Sequence, residues 1–539
     1  MTNNNNTYNQ PQMGQMMPPQ IPPRPRGRQA RWAQWLTEQQ VVWKSLPKWL
    51  SAYSIIAYVL ALTMVTIMYT NYSMAWYYML AGILFVTIFF LYGSKVIRGT
   101  LVQRDRKEST FEKHIFVIAF VPRLLYMLLI YWIFQENYGD AFGFENADPT
   151  YYDELGVYVA TLIEKGDYHF YDAISKFSGH DDIADMGYGI YVGFIYWLTG
   201  TGTAENIHLL GGSATASTLS ILSVRLMKCV WSSLTVLLIY RLAKRNFETR
   251  VARIAAVFVA LWPNFWYYCT SHLKEVEMVF LAVLFVEQAD QMMRSRKFTA
   301  WKVIPVLIIA AAIFTFRTPL GLVALLALVF SIVMSSTKVV TWGKRIIVGA
   351  LAIALIGIVA GNRIQERTES LMEQVQTDSQ DKNMEWRSQR ENGNELAKYA
   401  GAAVFAPMIF TLPFPTMARP YEGQEMQQLN HGGNYIKNIM SFFTIFAMIM
   451  LLMSGRWREH LLPLSFMLGY LLVLTMSEFA QSERFHQPIM PFEFMFAAYG
   501  LNIAVTKKKY KRWFTYWCAL MVVAALAWNW FKLSGRGLV

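Results

Sequence analysis

Long apolar runs separated by short polar connectors follow one another from about residue 51 to residue 531. The runs fall at 51–70, 74–91, 115–134, one ending near 240, then 254–267, 276–289, 303–316, 320–334, 346–359, 439–453, 461–476, 488–505 and 513–530. A helix needs about 20 predominantly apolar residues to cross a bilayer, so the shorter runs must borrow flanking residues. The pattern predicts an all-α polytopic membrane protein with about 13 transmembrane helices. One stretch, 187–200, reads Gly-Tyr-Gly-Ile-Tyr-Val-Gly-Phe-Ile-Tyr-Trp-Leu-Thr-Gly. It can span, or lie along the interface as an aromatic-rich helix. The flanking charges require an odd number of crossings there, which favours the interfacial helix.

Composition agrees with this picture. The chain is 54% hydrophobic, with 16% charged residues and a mean hydropathy of +0.26, whereas soluble domains carry about a quarter charged residues. Cys229, Cys269 and Cys518 are scattered in or beside apolar runs, and read as buried thiols rather than a disulfide framework or a metal site. Residues 1–30 are rich in Asn, Gln, Pro and Met without an apolar core. They read as a disordered tail, not as a signal peptide.

The net charge of +13 changes the picture through its placement. Lys and Arg cluster at Lys95–Lys107, Arg241–Arg253, Arg294–Lys297, Lys338–Arg345, Arg456–Arg458 and Lys507–Arg512. Placing all of these clusters, and the tail with Arg24, Arg26, Arg28 and Arg31, in the cytoplasm gives one consistent topology. No aromatic-basic platform accompanies them, so no nucleic-acid partner is implied. Two long loops, about 135–224 and 361–437, then fall outside. Within the second, 363–399 reads as charged helical structure and 402–419 as an apolar piece returning to the membrane. The absence of a cleavable signal and the basic inner loops favour a bacterial cytoplasmic (inner) membrane.

This topology brings Asp148, Asp153, Glu154, Lys274, Glu275, Arg317, Glu483 and Arg484 to the outer surface from distant segments. An ionised carboxylate there can act as a general base or hold a divalent metal such as Mg or Mn through oxygen. Asp148, Asp153 and Glu154 are candidates for the first role, and His180, Asp181, Asp182 and Asp185 are weak candidates for the second. A solvated acidic loop explains both groups equally simply. Arg484, in Ser482-Glu-Arg-Phe-His486-Gln-Pro488, offers a planar fork for phosphate oxygens. The blander alternative is an arginine anchoring a helix end. Lys274, in Ser271-His-Leu-Lys274-Glu275, can place an ammonium against a phosphate or form a local ion pair with Glu275 worth little, and Arg317, before Pro319, has the same two readings as Arg484. His486 sits beside Arg484. Arg123, Glu277 and Glu493 are charges within runs, close enough to span ends to be interfacial. There is no phosphate-cradling glycine loop, no Gly-x-Ser-x-Gly and no His-Glu-x-x-His.

Taken together, these residues resemble membrane glycosyltransferases of the GT-C type, in the group of protein O-mannosyltransferases, aminoarabinose transferases and rhizobial lipopolysaccharide-core transferases (glycosyltransferase family 39-like). Asp148-x3-Tyr152-x3-Gly156 resembles that group's acidic motif after its first core span. Leu234–Arg245 with Val251–Ala256 and Leu261-Trp-Pro-Asn264 resembles its third-to-fourth helix region, and Lys274-Glu275 its outer polar turn. Glu483-Arg484-Phe-His-Gln-Pro488-Ile-Met-Pro491 resembles its Arg-x3-Pro-x2-Pro motif. The likeness runs from about 115 to 505. Asp148 is followed by Pro149 instead of the usual Glu, and Asp153-Glu154 has the pair without the Tyr, so either carboxylate can be the base.

The resemblance implies a GT-C-like catalytic core over 115–531, preceded at 31–114 by two additional transmembrane helices and followed by a tail at 532–539, with interfacial helices on the outer side. It implies inverting transfer of a sugar from a polyprenyl-phosphate donor to an extracytoplasmic lipid, glycan or protein. Asp148, Asp153 or Glu154 would act on the acceptor. Arg484, Lys274, Arg317 and His486 would hold the donor phosphate, with Tyr152, Glu275 and Glu483 in support. Two other classes stay open: an O-antigen ligase or polymerase using diphosphate-linked glycans, and a transporter or flippase of lipid-linked sugars.

Overall fold

The computed structural model describes residues 45–102, 108–143, 148–178, 186–202, 208–210, 213–295, 299–341, 343, 408–420, 425–475, 478–505, 508–535 and 537–538. The amino-terminal tail, the 346–359 run, the 363–399 helical stretch and His180, Asp181, Asp182 and Asp185 lie outside these residues.

Helix dominates, because apolar side chains without a break in backbone bonding are the economical state in lipid. The first half runs α1 (Lys48–Met68), α2 (Trp76–Thr87), α3 (Gly93–Val102), α4 (Glu108–Tyr138), α5 (Asp148–Glu164), α6 (Phe170–Ser178), α7 (Met186–Leu198), α8 (Thr218–Asn246) and α9 (Thr249–Leu261). A single π turn, Ile88–Tyr92, joins α2 to α3 without a break. A short antiparallel hairpin, β1 (His208–Leu210) and β2 (Ser213–Thr215), precedes α8. The second half runs α10 (Pro263–Tyr267), α11 (Glu275–Arg294), α12 (Ala300–Phe316), α13 (Thr318–Met334), α14 (Met426–Ser454), α15 (Leu461–Thr475), α16 (Glu483–His486), α17 (Met490–Ala504) and α18 (Lys508–Ser534).

The count of about 13 transmembrane helices is not confirmed. Among the described residues, six helical stretches are long and apolar enough to cross a membrane by length and composition: Lys48–Met68, Trp76–Leu101, Ser109–Tyr138, Thr218–Asn246, Met426–Ser454 and Lys509–Ser534. Of the other described runs, 276–289 lies in α11, a 20-residue helix carrying five charged residues, and the rest are shorter or broken. The 254–267 run divides at Trp262-Pro263 into α9 and α10, because Pro cannot continue the backbone ladder. The 488–505 run starts as a 3-10 turn before α17. The 187–200 stretch forms α7, a helix of 13 residues laid against α5.

Exposed apolar side chains show which surface meets lipid. Ile56 and Ile67 on α1, and Val117, Leu125 and Trp132 on α4, stand out from the protein, Ile67 at 72% exposure. A patch this large on a soluble protein is a liability; here it is the face the bilayer covers. The interior helices are the reverse. Every residue of α9 from Val251 to Leu261 is buried, and so are all but one of α17. Small residues let helices close up: a Cβ on Gly500 of α17 meets the Phe443 carbonyl oxygen of α14 at 2.0 Å.

Charges inside the bundle are matched by protein. Arg123 is fully buried on α4. It donates to the Ser232 hydroxyl at 2.8 Å and to the Ala119, Ala260 and Val259 carbonyls at 2.7, 2.9 and 3.1 Å. The last two are carbonyls of the final turn of α9, which an ordinary helix end leaves unpaired. Glu277 is likewise buried and pairs with Lys228 at 2.8 Å, and Glu493 is buried on α17. Each of these three groups is enclosed by neighbouring helices.

Candidate functional site

The ends of the helices divide into two sets. Hairpin connections place the end of α4, the start of α5, the β1–β2 hairpin, the α10–α11 turn, the α12–α13 turn and α16 at one end of the bundle. The basic connectors gather at the other. At 1.5 Å per residue, the 31 residues of α4 separate the ends by about 45 Å.

At the first end, Asp148 and Pro149 open α5. An acid there complements the positive helix end, and Pro loses no hydrogen bond in the first turn. Lys274 caps α11 and Glu275 begins it. The extended backbone of Arg317 separates α12 from α13, and Arg484 lies in the single turn of α16.

These residues meet. The Arg484 guanidinium donates from Nη1 to Asp148 Oδ2 at 2.5 Å and from Nε to Glu275 Oε1 at 2.8 Å. Asp148 is 53% exposed and Glu275 only 1%, so the cluster reaches from solvent into the protein. Burial opposes the charge on Arg484, but the two carboxylates more than offset it, and its pKa is raised. Lys274 is also buried. Burial, then the neighbouring Arg317 guanidinium, brings its ammonium down to about 7 against the pull of Glu275. The Arg317 guanidinium lies 3.8 Å from the centre of the Phe485 ring, a cation–π contact beside Arg484. Three cations thus face two carboxylates.

Asp153 is elsewhere. It is fully buried, accepts a short hydrogen bond from the Tyr196 hydroxyl, and accepts one from the Ala216 amide at 3.2 Å. The Tyr196 oxygen in turn accepts from His272 Nε2 at 2.9 Å. Burial pushes the Asp153 carboxyl up to about 7, against the Tyr196 and Ala216 bonds. Burial, with Arg225 and Lys228 nearby, holds His272 well below its usual value and therefore neutral. This chain ties α5 to α7, to the start of α8 and to the turn bearing Lys274. Tyr152 packs edge-on to Tyr188 with ring centres 4.8 Å apart, and Glu154 is part-exposed on α5.

Two expected members face away from Arg484. His486 is buried; its Nδ1 accepts from the Lys437 ammonium at 2.8 Å, and its Nε2 donates to the Ala480 carbonyl at 2.9 Å. Glu483 turns toward Asn430 of α14, whose amide lies at 3.5 Å, and burial raises its pKa. Sequence reasoning did not single out Tyr196, His272 or Lys228. Tyr196 and His272 were visible in the 187–200 and 271–275 stretches and Lys228 in the run ending near 240, but only the fold shows what they touch.

The donor set does not fit a divalent cation. Mg and Mn take about six oxygen ligands, whereas Asp148 and Glu275 share one guanidinium. Among the described residues no three His, Cys, Asp or Glu side chains gather as a metal site. No step below is routed through a metal.

Residues 210–361 match the dolichyl-phosphate-mannose-protein mannosyltransferase family. That stretch holds Lys274, Glu275 and Arg317; Asp148 and Arg484 lie outside it. The match supports the resemblance to GT-C type glycosyltransferases, and the apolar helices fit an integral membrane protein. No curated protein matches the sequence. Solved structures similar to this chain include the archaeal oligosaccharyltransferase AglB from Archaeoglobus fulgidus in complex with an inhibitory peptide and a dolichol-phosphate. It is 12% identical with a TM-score of 0.41, and the match covers 80% of this chain and 56% of that one. The apo form of the Archaeoglobus fulgidus oligosaccharyltransferase is 13% identical with a TM-score of 0.42, over 80% and 56% of the two chains. The chain spans just over half the length of the solved structures it matches.

Proposed function

We propose that this protein is a membrane glycosyltransferase that moves a sugar from a polyprenyl-phosphate donor to an acceptor hydroxyl on the outer side of a bacterial cytoplasmic membrane. The observation that carries the reading is the Arg484 guanidinium joined to Asp148 and Glu275, with Lys274 beside it, at one end of a lipid-embedded bundle. A prenyl phosphate presents its charge at that depth while its tail stays in the bilayer.

In this reading the donor phosphate takes the excess positive charge of Arg484, Lys274 and Arg317. As the sugar C1–O bond to phosphate breaks, negative charge grows on the leaving oxygen, and preplaced cations stabilise that charge most. Asp148 takes the proton from the acceptor hydroxyl as it attacks C1. A single displacement of this kind inverts the anomeric centre. Exposure favours Asp148 over Asp153 as base, since Asp153 is fully buried and already bonded on both oxygens. The bonding of the buried charges favours an enzyme over a transporter: Arg123 is held by Ser232 and Ala260, and Lys228 by Glu277.

The test is transfer of radiolabel by the purified protein from polyprenyl-monophosphate sugars into membrane extract, beside diphosphate-linked donors. Monophosphate donors are expected to be consumed. Arg484→Ala should lower the rate by about 10²- to 10³-fold, the effect of removing one donor to a developing anion. Asp148→Asn should abolish turnover. Consumption of diphosphate donors alone would move the protein to the ligase or polymerase class, and full activity in Arg484→Ala would remove that residue from the site.

A further inference from the structure

At the opposite end of the bundle, α3, α4 and α9 line a half-open cavity of about 200 Å³. Its wall is mostly apolar, formed by Val96, Phe111 and Ile118, with Thr100, Thr110 and His114 at its polar side and Arg253 among the lining residues. Arg253 is 4% exposed. Its Nη1 donates to the Thr100 carbonyl at 2.5 Å, and its guanidinium lies 5.2 Å from the Phe111 ring centre. Its Nε is buried without a partner.

The contrast with Arg123 is instructive. Arg123 is buried as deeply, but four hydrogen bonds surround it. Arg253 has one, and among the described residues no carboxylate pairs with it. The adjacent acid, Glu112, is occupied at both oxygens by Arg241, at 3.0 and 2.8 Å. A buried guanidinium without a counter-charge is costly, and here it lines a cavity. Lys95, Arg98 and Lys113 stand exposed on the same two helices, so the surroundings add positive charge. Below the cavity the exposed side chains of Val117, Val121 and Leu125 run along α4, an apolar track leading toward the middle of the membrane.

We propose that this cavity binds the phosphate headgroup of an anionic glycerophospholipid, with Arg253 and His114 at the phosphate and an acyl chain along α4. Cationic headgroup ligands directly above an apolar track match a membrane lipid in both halves. Basic residues at a membrane boundary attract anionic lipids generally; the enclosed Arg253 makes this place a site and not merely a charged surface. The inference is independent of the reaction proposed for the other end.

The test uses the full-length protein in detergent micelles doped with phosphatidylglycerol or phosphatidylcholine, with bound lipid counted by native mass spectrometry and Tm followed in parallel. Phosphatidylglycerol is expected to be retained and to raise Tm, with phosphatidylcholine doing neither. Arg253→Gln should weaken phosphatidylglycerol retention by about tenfold, the loss of one charge-assisted contact, and Gly99→Phe should weaken it at least as much by filling the cavity. Gly99 is exposed, lines the cavity and has open space where a Cβ would stand, so its variant fills the site without disturbing the fold. Equal retention of the two lipids, or undiminished phosphatidylglycerol binding by Gly99→Phe, overturns the proposal. Inorganic phosphate that displaces the lipid and reproduces the Tm shift alone overturns the lipid assignment in favour of a free anion.

Discussion

Lys274 is the residue whose chemistry is most open to measurement. Its ammonium is brought down to about 7 by burial and by Arg317, so in the free enzyme it loses its proton within the working range. If the donor phosphate needs the charged form, kcat/KM, which reports the free enzyme, falls as pH rises through about 7. Lys274→Arg keeps its charge at any such pH and is expected to abolish that limb while retaining activity at low pH. A limb unchanged in Lys274→Arg would assign it to another group. The stability effect has its own sign. Between about 7 and the ordinary lysine range the unfolded chain binds the proton that the folded chain has released, so stability rises with pH across that window. Activity lost while stability is gained separates binding of phosphate from simple unfolding.

At the scale of elements, the contact between α5 and α7 fixes Tyr196 on Asp153. Glycines make the approach: a Cβ on Gly193 would meet Val159 at 2.5 Å, and one on Gly156 would meet Val192 at 2.5 Å. Gly193→Leu therefore pushes the helices apart, at a cost of about 1–3 kcal/mol for overpacking, and draws Tyr196 from Asp153. Reduced thermal stability with impaired transfer is the expected outcome, measured beside the unaltered protein. The same helices show what the sequence could and could not disclose. The convergence of Asp148, Glu275 and Arg484 followed from placing basic connectors on one side, since that puts every intervening turn on the other. The burial of Asp153 did not, because an acidic residue five positions into a polar-looking helix gives no sign that Tyr196 and Ala216 will close over it. Nor did α11 show itself as an interior helix. Its acids find partners from α8: Glu277 is met by Lys228, and Glu287 and Asp290 by Arg245. A pattern read along one strand of sequence counts those charges without seeing their partners.

For the whole molecule, every described apolar run was legible as a run, but the breaks in 254–267 and 488–505 were not. Hydropathy registers a helix that faces lipid along most of its length, such as α1 or α4, whereas α9 and α17 are surrounded by protein and tolerate breaks and polar groups that neighbouring helices satisfy. The same division yields a topology that can be tested. Tyr168, 67% exposed between α5 and α6, belongs to the end that carries Asp148 and Arg484. Lys113, exposed near the start of α4, belongs to the end with the basic connectors. Single-cysteine variants at these positions, made after replacing the three buried native cysteines, can be probed in intact cells with a membrane-impermeant maleimide. Labelling of Tyr168→Cys in intact cells, and of Lys113→Cys only after lysis, would place the Arg484 cluster outside, where a flipped lipid-linked sugar is presented. The reverse result would turn the molecule over. The cluster would then face the cytoplasm, and a donor displayed on the outer leaflet could not reach it.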